Sequence, residues 1–132
     1  MTVRCLLDTH ILLWSLLEPD RLAAPVREAL EDAGNELWIS PISLWEICLL
    51  VEKGRVVVDS ADPESWIRAV LSTVPLIEAP LTGEVALRSR TVELPHQDPA
   101  DRFLAATALV FDLVLLTADE RLLSSSQLNT LR

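Results

Sequence analysis

The sequence predicts a three-layer α/β/α domain with a central, mostly parallel sheet. Three observations point there. Short apolar runs at Val3–Leu7, Leu37–Ile39, Val74–Glu78 and Val114–Leu116 alternate with longer helical stretches, the pattern of strands covered on both faces. Half of the residues are hydrophobic, which supplies a core and excludes a disordered chain. The 132 residues suit a single domain, 1–132, and no repeat, low-complexity tract or linker divides them.

Val3–Leu7 reads as a buried strand, and His10–Leu17 as a helix stopped near Pro19. Pro25–Asp32 is a second helix with proline in its first turn, where the missing N–H costs nothing. Gly34-Asn35 marks a turn before the strand Leu37–Ile39. Ser40 caps the next helix, Pro41 takes its first position, and Gly54 ends it after Glu52. Arg55–Val58 is expected to be extended. Asp62 caps a helix over Pro63–Leu71, and Val74–Glu78 is the next strand. Thr82–Val92 is a helix, with Glu84 early and Arg88 and Arg90 late, as its dipole favours. Asp98–Phe111 is the best-marked helix: Asp98 caps it, Pro99 opens it, and Phe103, Leu104, Ala106, Thr107 and Val110 supply an apolar face. Val114–Leu116 is a strand, Thr117–Leu123 a turn and short helix, and Leu128–Leu131 a final edge strand.

The net charge is −9, with one lysine, Lys53, against ten arginines. Nucleic-acid affinity normally rests on basic residues that neutralise phosphates; this balance suits cation binding or a basic partner, and by itself it is equally explained by solubility alone. No stretch approaches the ~18 apolar residues of a spanning helix, and no export signal is evident. Cys5 and Cys48 sit in apolar runs and read as free thiols of a reducing compartment, so the expected location is the cytoplasm.

Ligand sites in parallel sheets lie outside the carboxyl ends of the strands. Asp8 follows the first strand directly, and Asp119 lies three residues past Leu116. Glu46 stands in an otherwise apolar helical stretch, where a carboxylate is rarely buried unless it is paired or binds metal. Asp101 lies in the first turn of the Asp98 helix. Each acid has a plain structural reading, as a helix cap or a solvated face. Together, four acids from separate segments can meet at one sheet edge, where their mutual repulsion calls for a cation. Mg²⁺ or Mn²⁺ suits an all-oxygen donor set, and such an ion can clamp a phosphodiester and activate water. Thr9 and Thr117 adjoin this set as supporting hydroxyls. Asp98 is either a further ligand or only a cap. His96 is a candidate substrate contact, and Arg102 and Arg121, beside Asp101 and near Asp119, are candidates either for substrate or for ion pairs at a subunit interface.

These residues together resemble the PIN domain. The carriers are Leu-Leu-Asp-Thr-His at 6–10, Ser-Leu-Trp-Glu-Ile at 43–47, His-Gln-Asp-Pro-Ala-Asp-Arg-Phe-Leu-Ala-Ala-Thr-Ala at 96–108 and Leu-Thr-Ala-Asp at 116–119. The chain is most similar to the VapC-type toxins of bacterial toxin–antitoxin pairs. The resemblance implies a Mg²⁺- or Mn²⁺-dependent endoribonuclease. Its acids map to Asp8, Glu46, Asp101 and Asp119, and its hydroxyl before the last acid to Thr117. It also implies an RNA substrate, a homodimer, and a cognate antitoxin whose C-terminal segment enters the acidic groove. The alternative is a catalytically inactive PIN-like module that only binds partners. A haloacid-dehalogenase phosphatase needs an aspartate where His10 stands and a lysine at the phosphate, and a response-regulator receiver lacks its paired early acids and late lysine here.

Overall fold

A computed structural model describes residues 2–60 and 62–132. Five strands form one sheet in the order β3-β2-β1-β4-β5, every pairing parallel. They are β1 (Arg4–Leu7), β2 (Glu36–Ile39), β3 (Ile77–Glu78), β4 (Val114–Leu116) and β5 (Thr130–Leu131). Between them run α1 (Thr9–Leu17), α2 (Ala24–Glu31), α3 (Pro41–Glu52), α4 (Pro63–Thr73), α5 (Gly83–Thr91), α6 (Pro99–Phe111) and α7 (Glu120–Leu123).

The three layers follow from the alternation of side chains along the strands. Cys5 and Leu7 of β1 point into one apolar core with Leu116 of β4, Ile11–Leu13 of α1, Val26 of α2, Ile47 of α3 and Ile67 of α4. Leu6 and Leu115 point the other way, against Leu104, Ala105 and Ala108 of α6, Val92 and Leu122. β1 is therefore covered on both sides, as its unbroken apolar run requires, and it stands at the centre of the sheet between β2 and β4.

The caps form as the sequence predicts. Ser40 accepts from the amide of Ile42, Asp62 from Ser65, and Asp98 from Ala100 and Asp101. Gly54 ends α3 with φ 71°, a conformation that costs glycine least. Two strand expectations shrink. The predicted strand Val74–Glu78 is reduced to Ile77–Glu78 at the sheet edge, because Pro75 has no N–H for a ladder. Leu128–Leu131 is reduced to Thr130–Leu131, and Arg55–Val58 forms no strand. Among the described residues no helix is long and apolar enough to cross a membrane. Both cysteines are free thiols.

Candidate metal centre

The carboxyl ends of β1 and β4 lie side by side, with Leu7 opposite Leu116. Asp8 leaves β1 there, and its amide donates to the Leu116 carbonyl at 3.0 Å. Asp8 stands at the N-terminus of α1, yet its side chain makes no cap hydrogen bond. Instead its Oδ2 accepts a 2.7 Å hydrogen bond from Thr117 Oγ1. That hydroxyl in turn accepts from the amide of Asp119 at 3.0 Å. One threonine thus ties the acid after β1 to the acid after β4.

Glu46 is presented by α3 one turn below Ser43, on the same helix face. Thr9 Oγ1 donates to Glu46 Oε1 and also approaches Ser43 Oγ at 3.0 Å. Thr9 therefore serves Glu46 rather than its neighbour Asp8. Asp101 enters from the first turn of α6, positioned by the Asp98 cap. Its Oδ2 lies 2.7 Å from His96 Nε2. Asp119 caps α7 through the Arg121 amide, and both its oxygens also accept from the Arg121 guanidinium, at 3.3 and 3.1 Å. The same guanidinium reaches Asp101 Oδ2 at 3.6 Å.

Asp8, Glu46, Asp98, Asp101 and Asp119 line one cleft of about 330 Å³, with His10, Trp14 and Arg121. Burial strains the ionised state of three of these acids. Asp8 is pushed up to about 6 by loss of solvent, against the Thr117 hydrogen bond, and the charge of Asp101 adds to the rise. Burial also raises Glu46 and Asp101, each against one hydrogen bond, and neighbouring carboxylates raise both further. Asp119 moves the other way. Burial raises it, but its hydrogen bonds and charge pairing with Arg121 outweigh that and leave it lowered.

Among the described residues no three His, Cys, Asp or Glu side chains are set as a closed metal cage. Each acid is turned to a partner of its own: Thr117, Thr9, His96 or Arg121. The donor set nevertheless fits a hard divalent cation. It is all oxygen, it converges on one cleft, and it includes a buried carboxylate whose charge no lysine or arginine neutralises directly.

Two expectations need correction. Arg102 is not a surface contact. It is buried, and its guanidinium donates to the carbonyls of Ser89 at 2.8 Å, Val92 at 2.8 Å and His96 at 3.1 Å. It closes the C-terminal end of α5 and braces the loop into α6, and its burial with all three guanidinium nitrogens engaged keeps it from substrate. His96 is in the site, but it faces Asp101 rather than an open groove, with its side chain only 14% exposed. Its Nδ1 is buried and has no hydrogen-bond partner among the described residues. The sequence reading missed Ser43, whose three-residue spacing from Glu46 was the available signal. It also missed the double clamp of Arg121 on Asp119 and Asp101, which no local pattern announces.

Comparison with known proteins identifies the family and the fold. The PIN domain family matches residues 5–125. Over 122 residues the chain is 35% identical to "Ribonuclease VapC22" of Mycobacterium tuberculosis, covering 90% of this chain and 89% of that protein. Among solved structures, VapBC2 from Rickettsia felis bound to a promoter DNA fragment superposes with a TM-score of 0.72 at 16% identity, over 98% of both chains. DNA-bound VapBC from Salmonella typhimurium gives 0.69 at 20% identity, over 98% of this chain and 97% of that one. The fold, the matched residues and the curated relative agree: this chain belongs to the PIN-domain family, on its VapC branch.

Proposed function

We propose that this protein is a metal-dependent endoribonuclease, the toxin of a type II toxin–antitoxin pair, that hydrolyses RNA phosphodiester bonds. The observation that carries the reading is the convergence of Asp8, Glu46, Asp101 and Asp119 from four separate elements on one cleft. The likeness to a VapC ribonuclease supports the reaction class. The likeness to VapBC complexes supports a cognate antitoxin as partner.

Asp8, Asp101 and Asp119 are the proposed holders of Mg²⁺ or Mn²⁺, with Glu46 completing the set directly or through a water. Asp98 is assigned to capping α6, since its Oδ1 is already shared by two amides. When bound, the ion supplies charge neutralisation at the phosphate and a more acidic water. The side chains do the rest. Thr117 orients Asp8, Thr9 orients Glu46, and His96 holds one oxygen of Asp101. Glu46 Oε1 is engaged by Thr9, which leaves Oε2 as the atom to take a proton from the attacking water.

A homodimer is part of the proposal. Trp45 is 52% exposed and lines a cleft between α3 and α4 with Leu44, Cys48, Ile67 and Leu71, beside the charged Glu64 and Arg68. A large aromatic left in water beside such a cleft suits a subunit interface. The acidic charge suits an antitoxin with a basic inhibitory segment, and the proposed compartment is the cytoplasm.

The test is cleavage of labelled total RNA with Mg²⁺, with Mn²⁺ and with EDTA, beside Asp101→Asn prepared identically. Metal-dependent cleavage lost in the variant supports the proposal. A wild type that cleaves no RNA yet still binds its antitoxin would favour an inactive partner-binding module.

A further inference from the structure

Beside the acidic cleft lies a larger one of about 700 Å³, and His10, Trp14 and Glu46 line both. Its walls come from α1, α3, the short turn at Pro19–Arg21 and the segment after Gly54. The Arg21 guanidinium sits over the Trp14 indole, 4.4 Å from the ring centroid. Glu18 fixes that guanidinium through a 3.0 Å ion pair. Across the cleft stands Arg55, which is exposed and in no ion pair among the described residues.

We propose that this second cleft is a nucleotide subsite. It takes the nucleotide next to the scissile phosphate, with the base packed against the Trp14–Arg21 pair and Arg55 meeting the neighbouring phosphate. The inference rests on the ribonuclease reading and deepens it by naming the residues that choose the cleavage position.

Four features carry it. The cleft shares His10, Trp14 and Glu46 with the acidic site, and a strand whose phosphate lies among the acids must lead out along a neighbouring surface. Its volume falls in the ~300–1,000 Å³ range that encloses small organic ligands. Single-stranded RNA is held by stacking its bases on aromatic rings and guanidinium planes, and the Arg21 guanidinium, backed by the Trp14 indole, offers such a plane. The charge also selects. In a chain of net charge −9, two of the ten arginines face this one cleft. Glu18 is already paired with Arg21, and Glu46 belongs to the acidic side. With Arg21 offset by Glu18, Arg55 is the cleft's unpaired positive charge among the described residues, and it attracts a phosphate and repels a basic polypeptide.

The test uses fluorescein-labelled single-stranded RNA of the length that wild type cleaves. Anisotropy is read in Ca²⁺, a larger ion of looser oxygen geometry. Cleavage rates are measured in parallel in Mg²⁺. Arg21→Gln and Arg55→Gln alter exposed side chains, so folding is not at stake. Trp14→Leu is added with a thermal melt as control, and Arg90→Gln on α5 removes the same charge elsewhere. The expected result is RNA affinity weakened about tenfold in Trp14→Leu and about threefold or more in each arginine variant. KM should rise while kcat holds, with Arg90→Gln unchanged. Wild-type affinity in all three cleft variants, with metal-dependent cleavage intact, would overturn the subsite and leave the ribonuclease reading standing. Unchanged RNA affinity with loss of binding to an arginine-rich peptide would give the cleft to a polypeptide and overturn it as well. A wild type that cleaves no RNA in any metal would remove the ribonuclease reading, and the subsite with it.

Discussion

Thr117 Oγ1 donates to Asp8 Oδ2 at 2.7 Å across 109 positions of the chain. This bond joins the two central strands at the end where the acids gather. The same oxygen accepts from the Asp119 amide. Thr117→Val keeps the shape of a fully buried side chain but removes both bonds. The expected cost is about 1–3 kcal/mol of stability by urea denaturation, with ribonuclease activity falling in step. Thr117→Ser should restore both, because the hydroxyl rather than the methyl is what the acids need.

Burial of Asp8 makes the metal-free protein sensitive to pH in an unusual direction. Its carboxyl titrates near 6 in the fold against an ordinary 3.8. Between those values the native state holds more protons than the unfolded chain, so stability declines as pH rises through this window and levels off above it. The contribution is about 3 kcal/mol. Glu46 and Asp101 are also raised and act in the same direction, while Asp119 is lowered and opposes them. In EDTA, thermal melts should give a higher midpoint at pH 5 than at pH 7.5. Asp8→Asn should be more stable than wild type at pH 7.5 and should flatten the profile.

Arg121 sits where a cation is wanted, holding both oxygens of Asp119 and facing Asp101. An ion bound to those acids must displace it. Calorimetric titration with Mn²⁺ should therefore show Arg121→Gln binding about three- to tenfold more tightly than wild type. Weaker binding in the variant would mean that the arginine helps to shape the ion site instead.

Arg102 is expected to behave as a structural residue. Arg102→Met leaves the carbonyls of Ser89, Val92 and His96 without their donor. A loss of about 3 kcal/mol or more by denaturant titration is the expected outcome. A variant of wild-type stability with weakened RNA binding would return Arg102 to the substrate.

Much of this molecule was legible because its signals are local. Asp8 at the end of an apolar strand, and the caps Ser40, Asp62, Asp98 and Asp119, each announce themselves within a few residues. Asp8, Asp101 and Asp119, at strand ends or a helix start, pointed to one sheet edge by topology, and Glu46 stood out as a carboxylate inside an apolar helix. What stayed hidden depends on distant parts of the chain. Arg102 looked like a surface arginine because its three carbonyl partners lie on another helix and in the loop that follows it. Which acid Thr9 supports was not legible, because α3 brings Glu46 to it across 37 positions. The short edge strands were overestimated because pairing partners, not propensity, decide where an edge ends.

The place of β1 at the centre of the sheet has a consequence for how this chain is made. Asp8 emerges from the ribosome about a hundred residues before β4, yet its amide and its carboxylate are held by Leu116 and Thr117 at the end of that strand. A nascent chain that has reached only Asp112 already carries Asp8, Glu46 and Asp101. It still lacks Asp119 and the strand that gives Asp8 its position. Products of early termination are therefore expected to be harmless to the cell that makes them. Any antitoxin has the whole of translation in which to be ready before the first working site exists.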